Sequence, residues 1–371
     1  MGRVISVAGS MLLAMLALAA CVPLAGAPGS HVVAVAPAVQ TLFVASTRAR
    51  NEDGRFGSER SRSVGYSEME VSVPPHRKLG SITDTIGRLD PSRDFMILGE
   101  TQFGAGGGFD QALLDHAAAA PGGRGEVMIF VHGFNTTFEE SLFRLAQIDH
   151  DFRIPSAKVL YAWPTKDRLS QYVHDLESAS FARDGLEQLL KRLARSDVSR
   201  IVLVGHSMGA QLVVETLRQL RIEGNGDVFG KLGGVVLLSP DMDIDLFRQD
   251  ARRLAPLPQP FIVYGARDDW PLRAFSSVFT GGKDRLGAPR DFSEIADLDI
   301  TYIDTSNVGD AGSSGGHLAL ATSPALIGLV NAMPKADMVG FGEAAERGAI
   351  AGATVRRYGE LTAVVLPDLA R

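Results

Sequence analysis

The stretch Arg200-Ile-Val-Leu-Val-Gly-His-Ser-Met-Gly-Ala210 narrows the choice of fold more than any other part of the chain. Four apolar residues, Ile201 to Val204, lead into Gly205-His-Ser-Met-Gly209, and Leu212, Val213, Thr216, Leu217 and Leu220 then recur at helical spacing. This pattern predicts a buried strand that turns sharply into a helix, with Ser207 at the corner. A side chain at 205 or 209 would clash with the neighbouring strand or helix, so glycine at both positions is a steric requirement of such a turn. The serine is thereby left at the carboxyl end of a strand and at the positive end of a helix, where it can act as a nucleophile.

The rest of the chain supplies a sheet for that strand. The continuous apolar run Val127–Val131 reads as a strand buried on both faces, and Val159–Trp163, Gly233–Ser239, Pro260–Tyr264 and a shorter stretch, Ile300–Ile303, read as further strands. Helices are expected at 109–119, 138–152, 175–195 and 318–333. Strands separated by helices of this length specify an α/β fold, a mainly parallel central sheet with helices on both faces. Upstream, strands are expected at Val39–Ser46 and Met69–Val73, a shorter one at Phe95–Leu98, and a loop at Asn51–Arg62. The glycine cluster Gly104–Gly108 has no apolar strand leading into it and no Gly-Lys-Ser/Thr after it, so it reads as a loop and not a phosphate cradle. A strand is also expected at Leu361–Leu366.

Chemistry in such a sheet gathers at the carboxyl ends of its strands. A serine hydroxyl needs a base, and the base needs an acid to orient it; with a G-x-S-x-G serine the order along the chain is Ser, acid, His. His317, the last histidine, lies in Ser313-Ser-Gly-Gly-His317, between the expected strand at 300–303 and the helix that follows. Asp268, in the loop after Pro260–Tyr264, is the first candidate for the acid; Asp269 beside it and Asp241 after the preceding strand are alternatives. The oxyanion of an acyl-transfer intermediate requires backbone N–H donors. Met208, just after the serine, supplies one, and the loop His132-Gly-Phe-Asn135 supplies the other; Phe134 is the expected donor, flanked by Gly133 and Asn135. Asp241, Asp243 and Asp245 lack the central glycine and distal glutamate of a calcium loop and read as a helix start. No metal or cofactor is called for.

The first twenty residues are not part of the fold. A basic Arg3, then an Ala-, Leu- and Met-rich run, end in Leu18-Ala-Ala-Cys21, which resembles the lipobox of bacterial lipoproteins. Cys21 is the only cysteine, which removes any disulfide framework and marks it as the residue for lipidation. The expected organisation is a signal peptide at 1–20, a tether rich in Ala, Pro and Gly at 21–38, a catalytic domain at 39–334 and an extension at 335–371. The partner of such an anchor is a membrane, and the expected location is the cell envelope; Val22 is not acidic, which favours the outer membrane or its periplasmic face. A net charge of −6 gives no overall basic signal for nucleic acid.

Phe130-Val-His-Gly-Phe-Asn-Thr136, Leu142-Phe-Arg-Leu-Ala-Gln147, Ala162-Trp-Pro164, Gly205-His-Ser-Met-Gly209 and Ser239-Pro-Asp-Met-Asp243 resemble bacterial α/β-hydrolase proteins of unknown function with esterase- or lipase-like sequences. The resemblance covers roughly residues 40–330 and implies the α/β-hydrolase fold and a serine triad but no substrate; the acyl chemistry of such a triad leads to the expectation of a small-molecule or lipid ester. It does not supply the acyl or leaving group. An acyltransferase would use the same triad, and a non-catalytic envelope protein would keep the fold as a binding scaffold.

Overall fold

The computed structural model describes residues 37–82, 89–104, 107–120, 125–166, 168–308, 317–333, 347–348 and 350–369. The expected signal segment, Cys21 and the greater part of the tether lie outside them. Among the described residues no helix is long and apolar enough to cross a membrane.

Among the described residues eleven strands form one sheet. They are β1 (Ala38–Arg50), β2 (Phe56–Val73), β3 (Met96–Phe103), β4 (Glu126–Val131), β5 (Ala157–Ala162), β6 (Arg200–His206), β7 (Leu232–Leu238), β8 (Phe261–Gly265), β9 (Thr301–Asp304), β10 (Thr354–Tyr358) and β11 (Leu361–Val365). Their spatial order is β10-β11-β9-β8-β7-β6-β4-β5-β1-β2-β3. All pairs from β1 through β5, β4, β6, β7, β8 and β9 to β11 are parallel; only the β1–β2–β3 edge and the β10–β11 hairpin are antiparallel.

Alternation along the strands divides the apolar runs between two cores. Val127, Ile129 and Val131 of β4 face one core, with α1 (Phe109–Ala119), α3 (Tyr172–Ala194), α4 (Met208–Ile222) and α6 (Ile244–Leu254). Met128 and Phe130 face the other, with α2 (Phe138–Phe152) and α9 (Pro324–Ala332). Short helices α5 (Gly226–Lys231), α7 (Trp270–Phe279) and α8 (Ala319–Thr322) are also present. Thr137 fixes the start of α2 through a reciprocal cap: its hydroxyl accepts the Glu140 N–H at 3.1 Å, and the Glu140 carboxylate accepts the Thr137 N–H at 2.7 Å.

Three expectations are corrected. The polar stretch 51–62 is not a loop throughout: β1 runs on to Arg50 and β2 begins at Phe56. Its residues are polar because these strands lie toward an edge and are largely solvated, as where Arg50 pairs with Glu100 on β3. The helix expected at 318–333 breaks at Ser323-Pro324, because proline has no N–H to continue it and the Ser323 hydroxyl caps a new helix by accepting the Leu326 N–H at 3.3 Å. The fold also does not stop at 334: β11 pairs in parallel with β9, and Leu361, Ala363 and Val364 enter the two cores.

Candidate active site

β6 lies near the middle of the sheet, and Ser207 directly follows it. Ser207 has φ 53° and ψ −122°, a strained conformation for a residue with a side chain. The bend is held because the Ser207 N–H donates to the Leu238 carbonyl at 2.9 Å, while its own carbonyl accepts the Ala210 N–H at 3.0 Å. A Cβ on Gly209 would lie 2.2 Å from the His132 carbonyl oxygen, and one on Gly205 would lie 2.7 Å from Ala210 Cα. The two glycines therefore let the β4 loop and α4 close on the serine. Met208 opens α4, so its amide is one of those a helix leaves without an intrahelical partner.

The loop after β4 is clamped from several directions. A Cβ on Gly133 would fall 3.0 Å from Ser207 Cβ, which shows how closely this loop approaches the elbow. The His132 Nδ1–H donates to the Gly133 carbonyl at 2.9 Å, and Nε2 accepts the Trp163 N–H at 3.2 Å. The Trp163 indole lies parallel to the imidazole and donates to the His132 carbonyl at 2.8 Å. Burial pushes the His132 pKa down to about 3, so the ring is neutral and keeps this tautomer. In a trans peptide the C=O and the following N–H point in opposite directions. Holding the Gly133 carbonyl on the imidazole thus turns the Phe134 N–H away from it. Farther along, buried Arg48 donates to the Thr136 carbonyl at 2.8 Å and to Thr165 Oγ1 at 3.0 Å.

His317 meets a carboxylate: its Nδ1 lies 2.8 Å from Asp269 Oδ2. Asp269 is fully buried, and its other oxygen accepts the Leu272 N–H at 2.9 Å at the start of α7, so both oxygens are fixed. This corrects the first choice of acid. Asp268 is exposed, whereas its neighbour Asp269 turns inward to cap α7. Asp241 is also buried, but it faces Arg285, 3.0 Å from Nε, and accepts the Tyr172 hydroxyl at 2.8 Å. The imidazole of His206, just before the serine, lies 5.0 Å from that of His317, ring centre to ring centre, which places the His317 ring beside the elbow.

Residues 114–333 match the profile of a family described as alpha/beta hydrolase of unknown function. The chain belongs to this family. No curated protein matches it closely. Among solved structures, similarity extends to a fungal esterase of Rhizomucor miehei (12% identity, 83% of each chain covered, TM-score 0.34). It also extends to Aspergillus fumigatus lipase B (12% identity, 62% of this chain and 58% of that one, TM-score 0.36). Phospholipase PlaB from Legionella pneumophila, solved with thio-NAD, matches at 13% identity over 65% of this chain and 67% of that one, with a TM-score of 0.35. At this distance the resemblances say nothing of substrate.

In this α/β hydrolase, then, the structure gathers Ser207, Met208, the Gly133–Phe134 loop and the His317–Asp269 pair at the carboxyl ends of neighbouring strands. The residues that hold these groups, Arg48, Trp163 and Tyr172, have no role assigned to them from the sequence. Arg48 and Trp163 support the β4 loop, and Tyr172 packs edge-on against Phe134 at 5.3 Å. The one local signal for Trp163 is its place at the end of an apolar strand, next to Pro164 and Thr165.

Proposed function

We propose that this α/β hydrolase is a serine hydrolase that cleaves a carboxylic ester, a thioester or a lipid acyl ester through an acyl-enzyme on Ser207. The observation that carries the reading is the strained serine at the head of α4, combined with a histidine whose Nδ1 is held by a buried aspartate. Ser207 Oγ attacks the carbonyl carbon as His317 Nε2 takes its proton; the carbonyl electron pair moves to oxygen, and the amides of Met208 and Phe134 hold that oxyanion. The intermediate collapses, the bond to the leaving oxygen (sulfur in a thioester) breaks, and His317 returns the proton to the leaving alcohol or thiol. Water, deprotonated by His317, then attacks the acyl-enzyme and frees Ser207. Asp269 keeps the Nδ1–H of His317 directed at itself and balances the imidazolium. Purified protein should hydrolyse p-nitrophenyl esters of some chain length, and Ser207→Ala and His317→Ala should not. A folded parent inactive on the whole series argues for a non-catalytic scaffold.

The location proposed for this activity is the cell envelope, with acyl chains on Cys21 tethering the domain to a membrane.

A further inference from the structure

Two buried charges that the reaction leaves unused lie close to the oxyanion loop. Asp241 and Arg285 form an ion pair, 3.0 Å from Oδ1 to Nε, and both are buried. The hydroxyl of Tyr172, the first residue of α3, donates to Asp241 Oδ2 at 2.8 Å and accepts from Arg285 Nη2 at 3.1 Å. Each of the three side chains therefore touches the other two. Backbone bonds frame the cluster: the Leu286 N–H donates to the Met242 carbonyl at 2.9 Å and the Gly287 N–H to the Pro240 carbonyl at 3.0 Å. The segment that carries Arg285 thus runs along the loop that carries Asp241. A hydroxyl held by charged groups on both sides, away from water, fixes the direction of its ring.

The ring of that tyrosine reaches the site. Phe134 packs against it edge-on, with an angle of 74° between the rings, and Phe279, at the end of α7, stacks on it at 4.8 Å. Two other bonds hold Phe134 through its neighbouring peptides. His132 takes the Gly133 carbonyl on one side, and the Thr136 hydroxyl donates to the Phe134 carbonyl at 3.1 Å on the other. The Tyr172 ring holds the remaining direction, that of the side chain. None of the three cluster residues is suited to proton transfer. Burial and the Asp241 charge push the Tyr172 phenol up, so it keeps its proton at neutral pH, and the Asp241 charge is matched by Arg285.

We propose that Asp241, Arg285 and Tyr172 form a positioning cluster for the oxyanion hole: the ion pair orients the phenol, the phenol ring sets Phe134, and the Phe134 amide is thereby aimed at the developing oxyanion. This rests on the serine-hydrolase reading above. A buried ion pair adds little net stability, because desolvation offsets most of the attraction. What this pair supplies is direction. Tyr172 touches no reacting atom and acts only through Phe134.

The test is steady-state kinetics on the best p-nitrophenyl ester for the parent, Tyr172→Phe, Tyr172→Leu, Asp241→Asn and the double variant Tyr172→Phe/Asp241→Asn, with rates divided by the active fraction from fluorophosphonate titration. Losing an entire oxyanion donor costs about 10²- to 10³-fold in kcat, and a misaimed donor costs part of that. Tyr172→Phe, which keeps the ring but frees it from the ion pair, should lower kcat about tenfold, and Tyr172→Leu about 100-fold, with KM within about twofold of the parent. Affinity for a trifluoromethyl ketone, whose adduct with serine carries a tetrahedral oxyanion, should fall in parallel with kcat. The midpoint of the pH–rate profile should not move, since the His317–Asp269 pair is untouched. Asp241→Asn should cost little more once the hydroxyl is gone, because Asp241 works through that hydroxyl. A Tyr172→Phe kcat within about twofold of the parent, a loss confined to KM, an unchanged ketone affinity, or full additivity in the double variant overturns the proposal. Tyr172→Phe removes a single oxygen, so it still decides the matter if Asp241→Asn, which strips buried Arg285 of its countercharge, fails to fold. A parent that hydrolyses no ester and takes no fluorophosphonate overturns the serine-hydrolase reading itself, an outcome distinct from an active parent that is indifferent to Tyr172→Phe.

Discussion

Replacing Asp269 by Asn keeps the size of the side chain and the oxygen that caps α7, and removes the charge facing His317. During the reaction His317 becomes an imidazolium, with its Nδ1 2.8 Å from the carboxylate oxygen. Taking the charge centres as roughly 4 Å apart, with an effective dielectric constant of about 20, the lost attraction is about 4 kcal/mol. At about 1.4 kcal/mol per decade this is close to a thousandfold in rate. Asn also presents an N–H to Nδ1 and favours the wrong imidazole tautomer, which moves the expected loss toward 10³- to 10⁴-fold. The assay is kcat/KM on the best p-nitrophenyl ester, with thermal melting of each variant to show that the fold is kept. Asp268→Asn, which removes an exposed charge at the next position, should change kcat/KM by no more than about twofold. If Asp268→Asn is the crippled variant, or if Asp269→Asn retains near-parental activity, the pairing of His317 with Asp269 is not the catalytic one.

Two further outcomes follow from the same geometry, and a third from the sequence of the first segment. His132→Leu removes the clamp on the Gly133 carbonyl and strands the Trp163 N–H, so kcat should fall about 10- to 100-fold with little change in KM, and stability by about 1–3 kcal/mol, read by steady-state kinetics and chemical denaturation. Folded His132 titrates at about 3 and an ordinary imidazole at 6.5. Between those values the unfolded chain binds a proton that the folded chain refuses. This histidine therefore leaves stability untouched above pH 6.5 and lowers it as pH falls toward 3, by up to about 1.4 kcal/mol per pH unit. His206, held well below its ordinary value by burial, acts in the same direction, and denaturant melts across that range should show the decline. Cys21→Ser should abolish incorporation of labelled palmitate and release the protein from the membrane fraction; palmitate labelling that survives the substitution contradicts the anchor.

The parts of this molecule that were legible in the sequence are those set by local chemistry. The apolar runs at 127–131 and 201–204 declare buried parallel strands because both of their faces meet a core. The elbow is legible because only glycine fits at 205 and 209, where the neighbouring backbone lies within 3 Å of an added Cβ. Thr137 and Glu140 locate the start of α2. Long-range pairings left no such mark. Asp268 and Asp269 are adjacent and chemically identical, and only the entry angle of α7 decides which one turns to His317. The hairpin at 354–365 is short and half solvated, and its membership in the sheet rests on β9, more than fifty residues earlier. Arg48 reaches the β4 loop across an interval of 88 residues, which no local pattern encodes.

The central claim is that Ser207 is an activated nucleophile. Intact-mass analysis of the purified protein after reaction with a fluorophosphonate, followed by peptide mapping, tests it most directly. The account predicts one covalent adduct per chain, located on Ser207, absent in Ser207→Ala and strongly slowed in His317→Ala and Asp269→Asn. No adduct on a well-folded parent, or an adduct that maps elsewhere and persists in Ser207→Ala, would contradict it.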